Sequence, residues 1–140
     1  MVNLPAMSEI VKFVNHGAQQ ITPAVVEKAL RQLPIWKVEF TQINAPLFPH
    51  LVDQLEFLAD LVEDFAEGAY KELPYVAFAE AVFALTYANK QVGIIPNFTP
   101  FMSRADDSAV VRAVLMQNQK SLARYAELNG VDWTQITSNP

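Results

Sequence analysis

The stretch from Tyr87 to Asp107, which reads YANKQVGIIPNFTPFMSRADD, decides how this chain folds. Two of the nine prolines of the chain lie in it, at positions 96 and 100. Proline restricts the backbone and lacks an amide donor, so neither of these residues suits the interior of a helix. The segments on both sides have helical patterns. The stretch therefore predicts a stiff turn between two helices, and this turn organises the fold.

The segment before the turn predicts a buried helix. Pro74 suits the first turn of a helix, and about fifteen residues follow it that are apolar on nearly every side, YVAFAEAVFALTYAN. A helix that is apolar all round is typical of the centre of a bundle. A membrane-spanning helix needs about 20 apolar residues, whereas Glu80 and Thr86 interrupt this run. We expect a central core helix of a soluble bundle.

The segment after the turn predicts a long final helix. Ser103 or Asp106 would cap its start, since short polar side chains accept hydrogen bonds from free amide groups there. Gly130 would end it, because glycine readily adopts the left-handed conformation found at helix ends. The tail, residues 131–140, carries Trp133, which we expect to pack back on the body.

A helix with one strongly acidic face is predicted from Pro49 to about Leu73. Apolar residues recur in it every three or four positions, at Leu51, Leu55, Leu58, Val62, Phe65 and Ala69. On another face, carboxylates occupy an arc of about 100°: Asp53, Glu56, Asp60, Glu63, Asp64 and Glu67. No basic residue lies between positions 51 and 70. This face is either solvated, or it binds a basic partner or a divalent cation.

The first third of the chain predicts one clear helix with less regular segments around it. Residues 1–20 contain a short apolar run that predicts a short helix or an N-terminal arm. Thr22 and Pro23 are a good N-cap and first residue for a helix, which Pro34 is predicted to end. Residues 35–48 contain strand-forming side chains. Because a lone strand is unstable, we expect an extended connector or an edge that pairs with a second copy.

Length and composition indicate one domain over residues 1–140, and the helical patterns along it predict an all-α bundle of four to five helices. The chain is 51% hydrophobic, enough for a sizeable core. Its net charge of −5 argues against nucleic acid, since phosphate contacts need clustered Lys and Arg. The absence of cysteine excludes disulfides and thiolate metal sites. The N-terminus does not have the pattern of a secretory signal, so we expect a cytoplasmic protein.

Polar residues at the two ends of the turn form a candidate ligand site. Asp106 and Asp107 either cap the helix that follows or line a polar pocket together with Tyr87 and Asn97. Tyr87 could bury its ring while its hydroxyl bonds to the backbone of the turn.

Other candidate sites are weaker. Phe98 and Phe101 either plug the core or form an exposed contact patch. His16 and His50 are the only histidines, and neither belongs to a metal-binding pattern such as HExxH. No serine–histidine–acid order, phosphate-binding loop or dinucleotide motif is present. We therefore predict no catalytic residue, cofactor or metal, and enzyme activity has no positive support.

The turn and its flanks resemble the YkvA-like domain, a bacterial domain of unknown function, over about residues 75–117. The pattern of that family has a tyrosine, an Ile-Pro pair, a further proline and an Asp-Asp pair before a helix. This chain matches it without a gap at Tyr87, Ile95, Pro96, Pro100, Asp106 and Asp107. It departs from it at Gln91, Gly93, Asn97 and Ser103, where the family has proline, two aspartates and glycine. If those loop aspartates bind metal or act in catalysis in relatives, this chain has lost that function.

The resemblance and the missing catalytic motifs together predict a non-catalytic interaction or scaffold domain that self-associates. Its partners would be a second copy and a protein with a basic surface, contacted through the acidic face and through Phe98 and Phe101. The alternative is a binding protein or an enzyme that takes a small molecule or divalent metal at the corner formed by residues 87–107. A third hypothesis is peripheral membrane attachment through the turn, which the acidic charge disfavours because anionic lipids would repel it.

Overall fold

The structure, a computed structural model, describes residues 7–89 and 104–138. In these ranges the regular secondary structure is helical, with no strand, which confirms the all-α prediction. The helices are α1 (Met7–Ala18), α2 (Pro23–Phe40), α3 (Leu51–Glu67), α4 (Tyr75–Asn89), α5 (Arg104–Gln117), α6 (Gln119–Leu128) and α7 (Trp133–Ile136). None of those helices is long and apolar enough to cross a membrane.

Helix α4 packs against α1, α2, α3 and α5. Every residue from Ala77 to Ala88 is buried, because neighbouring helices cover α4 on several sides. Its aromatic side chains also bind α1. The ring of Phe13 makes edge-on contacts with Phe83 and Tyr87, with centroid distances of 5.5 and 5.6 Å. Such geometry is favourable for aromatic pairs beyond the area that they bury.

Of the two interpretations of residues 1–20, the described part, α1, agrees with the short helix. Helix α1 packs against α4 and α5, with Ile10 and Val14 buried. Gly17 allows this close approach, since a Cβ atom at that position would lie 2.3 Å from the ring of Phe83. No real side chain tolerates that distance.

Helix α2 begins as predicted, with the Thr22 side chain accepting a hydrogen bond from the Val25 amide at 3.2 Å. It does not end at Pro34. It continues to Phe40, so residues 35–40 are helical and residues 41–48 form turns without a strand. The predicted edge strand is therefore wrong, and the connector between α2 and α3 is limited to the non-helical residues after Phe40.

The position of Pro34 on the helix explains why α2 continues. A proline inside a helix costs about 3 kcal/mol, yet Pro34 is exposed, so water can reach the carbonyl group that lacks its usual amide donor. Trp36 and Phe40 lie on the buried face, each only 1% exposed. The apolar area that these two side chains bury favours the helical conformation and offsets the cost of the proline.

The later helix ends agree with the sequence only in part. Helix α3 ends at Gly68, whose φ of 81° is left-handed, rather than near Leu73. The predicted final helix is divided at Asn118 into α5 and α6. The side-chain amide of Asn118 donates to the Val114 carbonyl and to the Glu80 carboxylate, both at 2.9 Å. Gly130 follows α6 with a φ of 69°, as expected for a residue that ends a helix.

Candidate functional site

A cleft of about 450 Å³ lies between α3, α6 and the C-terminal segment. We call it the acidic cleft. It is lined by His50, Asp53, Glu56, Phe57, Asp60, Asp64, Tyr125, Asn129, Val131, Asp132, Gln135 and Ile136. Four of its carboxylates belong to the acidic face predicted on α3, and Asp132 adds a fifth from the opposite side.

Apolar side chains complete the lining of the acidic cleft. Phe57, Val131 and Ile136 lie among the carboxylates, and Phe57 packs edge-on against Tyr125 at a centroid distance of 5.5 Å. Lysine and arginine side chains complement such a lining, because each has an apolar stem and a positively charged head. The arrangement is therefore suited to cationic side chains.

Tyr125 fixes one of the cleft carboxylates. Its hydroxyl donates a short hydrogen bond to Asp64. Burial raises the pKa of Tyr125 far above its ordinary value, and the hydrogen bond to Asp64 and the negative charges of Asp60 and Glu63 raise it further. Tyr125 therefore stays neutral across the physiological pH range and acts as a permanent donor to Asp64.

The C-terminal segment forms one wall of the cleft, and long-range hydrogen bonds hold it there. The side-chain amide of Gln54, which is buried on α3, donates to the Ile136 carbonyl at 2.9 Å. The Arg112 guanidinium donates to the Thr137 carbonyl at 2.6 Å. Trp133 packs against Phe57 at a centroid distance of 6.0 Å, which confirms that the tail returns to the body.

A lysine from α2 reaches the acidic face of α3. The Lys37 ammonium lies 3.1 Å from an Asp60 oxygen and 2.8 Å from a Glu63 oxygen. The hydrogen bond to Glu63 raises the pKa of Lys37, burial opposes this, and the bond and negative charge of Asp60 raise it again. Glu63 therefore bonds to α2 rather than lining the cleft, and Glu67 is exposed at the end of α3.

A second pocket of about 430 Å³ adjoins the acidic cleft. It is lined by Lys37, Val38, Thr41, Glu56 and Asp60. Because Glu56 and Asp60 line both spaces, the cleft and the second pocket adjoin at these two side chains of α3. No local pattern along the chain indicates this arrangement, since it depends on how α2 packs on α3.

The corner predicted as a ligand site is closely packed in its described part. Tyr87 and Asp107 are 1% and 0% exposed. The Arg104 guanidinium donates to Asp107 at 2.9 Å and to the Ala88 carbonyl at 3.1 Å, which ties the start of α5 to the end of α4. Replacing Asp107 would therefore disturb the fold as well as any ligand. Asp106 lies in the same first turn and is partly exposed.

The structure gives no further support to the remaining predicted site residues or to the metal hypothesis in the part of the chain that it describes. Asn97, Phe98 and Phe101 lie outside the described residues. Within residues 7–89 and 104–138, no group of three or more histidine, cysteine or carboxylate side chains is placed to hold a metal ion. His50 and Asp53 both line the acidic cleft. The ligand-site interpretation of the corner stays a hypothesis.

Comparisons with protein-family models, with curated proteins and with solved structures give no match for this chain. The YkvA-like resemblance therefore stays a prediction that depends on the residues of the turn. Any proposal about function has to rest on the contacts and charges of this chain itself.

Proposed function

We propose that the protein is a non-catalytic cytoplasmic interaction domain, built around α4, whose acidic cleft binds a basic segment of another protein. One observation carries this proposal: five carboxylates and several apolar side chains line the same cleft of about 450 Å³. A segment rich in lysine or arginine complements both features, since its stems contact the apolar lining and its heads contact the carboxylates.

The magnitude of each contact favours a segment with several charges over a single ion. An ion pair at an exposed site contributes only about 0.2–1 kcal/mol, and Asp60 is 55% exposed. Useful affinity therefore requires several pairs acting together, with apolar contacts between them. Salt screens such pairs, with a Debye length of about 10 Å at 0.1 M. Binding should consequently weaken as the salt concentration rises.

We expect the cleft to bind a capped peptide in which three lysines alternate with two leucines, as measured by isothermal titration calorimetry. The triple variant Asp53→Asn, Glu56→Gln, Asp60→Asn should weaken this binding about tenfold, because it removes three pairs of about 0.5 kcal/mol each. The changes are isosteric and preserve the shape of the cleft.

A matched variant controls for net charge. Glu9→Gln, Glu27→Gln and Glu72→Gln remove three exposed carboxylates that do not line the acidic cleft, so this protein should bind like the wild type. Equal binding by the cleft variant and the wild type would contradict the proposal. Binding of spermine without binding of the peptide would also contradict it, and would indicate a small polycation as the ligand.

Self-association also stays a prediction, carried by the exposed apolar side chains of α2. Ile35 and Val38, one turn apart on this helix, are 59% and 60% exposed. We expect sedimentation equilibrium of the purified chain to give a mass above that of the 15.7 kDa monomer. A monomer at every concentration tested would refute self-association without affecting the cleft.

A further inference from the structure

The acidic face of α3 already binds one cation, the side chain of Lys37. Its ammonium contacts Asp60 at 3.1 Å and Glu63 at 2.8 Å. Asp60 also lines the acidic cleft, and together with Glu56 it separates that cleft from the second pocket, which Lys37 itself lines. Any basic side chain that reaches Asp60 from the cleft therefore approaches the Lys37 ammonium.

We propose that Lys37 is a built-in competitor for the basic segment of the partner, and that binding of this segment displaces Lys37 from Asp60. The inference rests on the proposed function and concerns the regulation of the same cleft. Two ammonium groups on one carboxylate repel each other, because like charges a few ångströms apart interact unfavourably even near a protein surface. The partner cation and Lys37 therefore compete for Asp60.

The exposure of the pair makes displacement feasible. Lys37 and Asp60 are 35% and 55% exposed, so water can solvate the ammonium as it leaves. An ion pair of this kind changes an equilibrium by about fivefold or less, which is enough to weaken binding but too little to block it. Because its acidic neighbours raise the pKa of Lys37, the lysine stays charged and competes at every physiological pH.

Displacement would also extend the contact. The second pocket includes Val38 and Thr41 beside Lys37. With Lys37 turned away, a segment that enters at the acidic cleft can cross Glu56 and Asp60 and place an apolar side chain against Val38. The acidic cleft and the second pocket together thus suit a segment in which basic and apolar residues alternate, as in the lysine–leucine peptide.

The test compares two lysine variants on the same helix. Lys37→Met removes the charge and retains an unbranched stem, so the peptide should bind up to about fivefold more tightly at low salt. At about 0.5 M salt the gain should largely disappear. Lys28→Met makes the same change of net charge nine residues earlier, on the opposite side of α2, since each residue turns the helix by about 100°. The affinity of Lys28→Met for the peptide should differ from that of the wild type by less than about twofold.

The outcomes separate the two proposals. If the wild type binds the peptide and Lys37→Met binds it no more tightly than Lys28→Met does, competition by Lys37 is refuted. The proposal that the acidic cleft binds the peptide is then unaffected. If neither the wild type nor Lys37→Met binds, both proposals fail. Lys37→Gln provides a second neutral variant, and thermal unfolding checks that each protein is folded. A gain shared by Lys37→Met and Lys37→Gln, absent from Lys28→Met, supports the competitor.

Discussion

Replacing Gly17 by alanine should destabilise the protein by about 3 kcal/mol, as expected for severe overpacking of a core. The added Cβ atom would lie 2.3, 2.4 and 2.5 Å from three atoms of the Phe83 ring. That ring is 1% exposed and packs against Phe13 and Tyr87, so it has little room to move. Alanine is the better helix former by about 1 kcal/mol, but the clash between α1 and α4 outweighs this gain.

Urea unfolding followed by tryptophan fluorescence would measure this loss. We expect a lower midpoint with an unchanged slope, since the slope reports the surface exposed on unfolding rather than the stability. The variant Phe83→Leu provides the control, because its smaller side chain leaves space for the new methyl group. Gly17→Ala should cost much less in that background, and the difference measures the coupling between the two positions. An unchanged or higher midpoint for the single variant would contradict the close packing of α1 on α4.

The sequence predicted those parts of the fold that depend on local patterns. The N-cap at Thr22, the helix of Tyr75–Asn89 and the stop at Gly130 all follow from a few neighbouring residues. The continuation of α2 through Pro34 could not be predicted in this way. It depends on which face of the helix is buried, and that is fixed by packing against α3 and α4.

The candidate site shows the same division. Periodicity placed Asp53, Glu56 and Asp60 on one face of α3, and the structure brings them into one cleft. The partners of this face come from distant positions, with Lys37 on α2 and Tyr125 on α6. Hydrophobic periodicity along one helix contains no information about such pairs. For the same reason, the charge of the face was overestimated from sequence, since Lys37 neutralises part of it.

Glu80 is the buried carboxyl group for which we expect a pH-dependent effect on stability. It lies on α4, is 3% exposed and accepts a hydrogen bond from the Asn118 side-chain amide at 2.9 Å. Burial raises the pKa of Glu80 above its ordinary value, and the bond to Asn118 offsets this in part. The folded protein therefore disfavours the charged form of Glu80, whereas water solvates this form freely in the unfolded state.

The direction of the pH effect follows from this raised pKa. Below the ordinary pKa of a glutamate, Glu80 is protonated in both states and costs the folded protein nothing. As the pH rises from the ordinary pKa towards the raised pKa of the folded state, the unfolded state has lost its proton while the folded state still holds it, so the free energy of unfolding falls. Above the raised pKa both states are charged and the loss is complete. Glu80→Gln keeps an oxygen that can accept from Asn118 but does not titrate. At about pH 8 this variant should be more stable than the wild type, because it does not carry the cost of a buried negative charge.

The difference between Glu80→Gln and the wild type should therefore shrink as the pH is lowered towards about 4.5. Urea unfolding of both proteins at several pH values measures it, and subtracting one curve from the other removes the titration of every other group. Glu9→Gln, at an exposed position of α1, should show no such trend. A constant difference, or a variant less stable than the wild type at high pH, would show that the carboxylate of Glu80 is well accommodated. The break at Asn118 between α5 and α6 would then stabilise a charged glutamate rather than a protonated one.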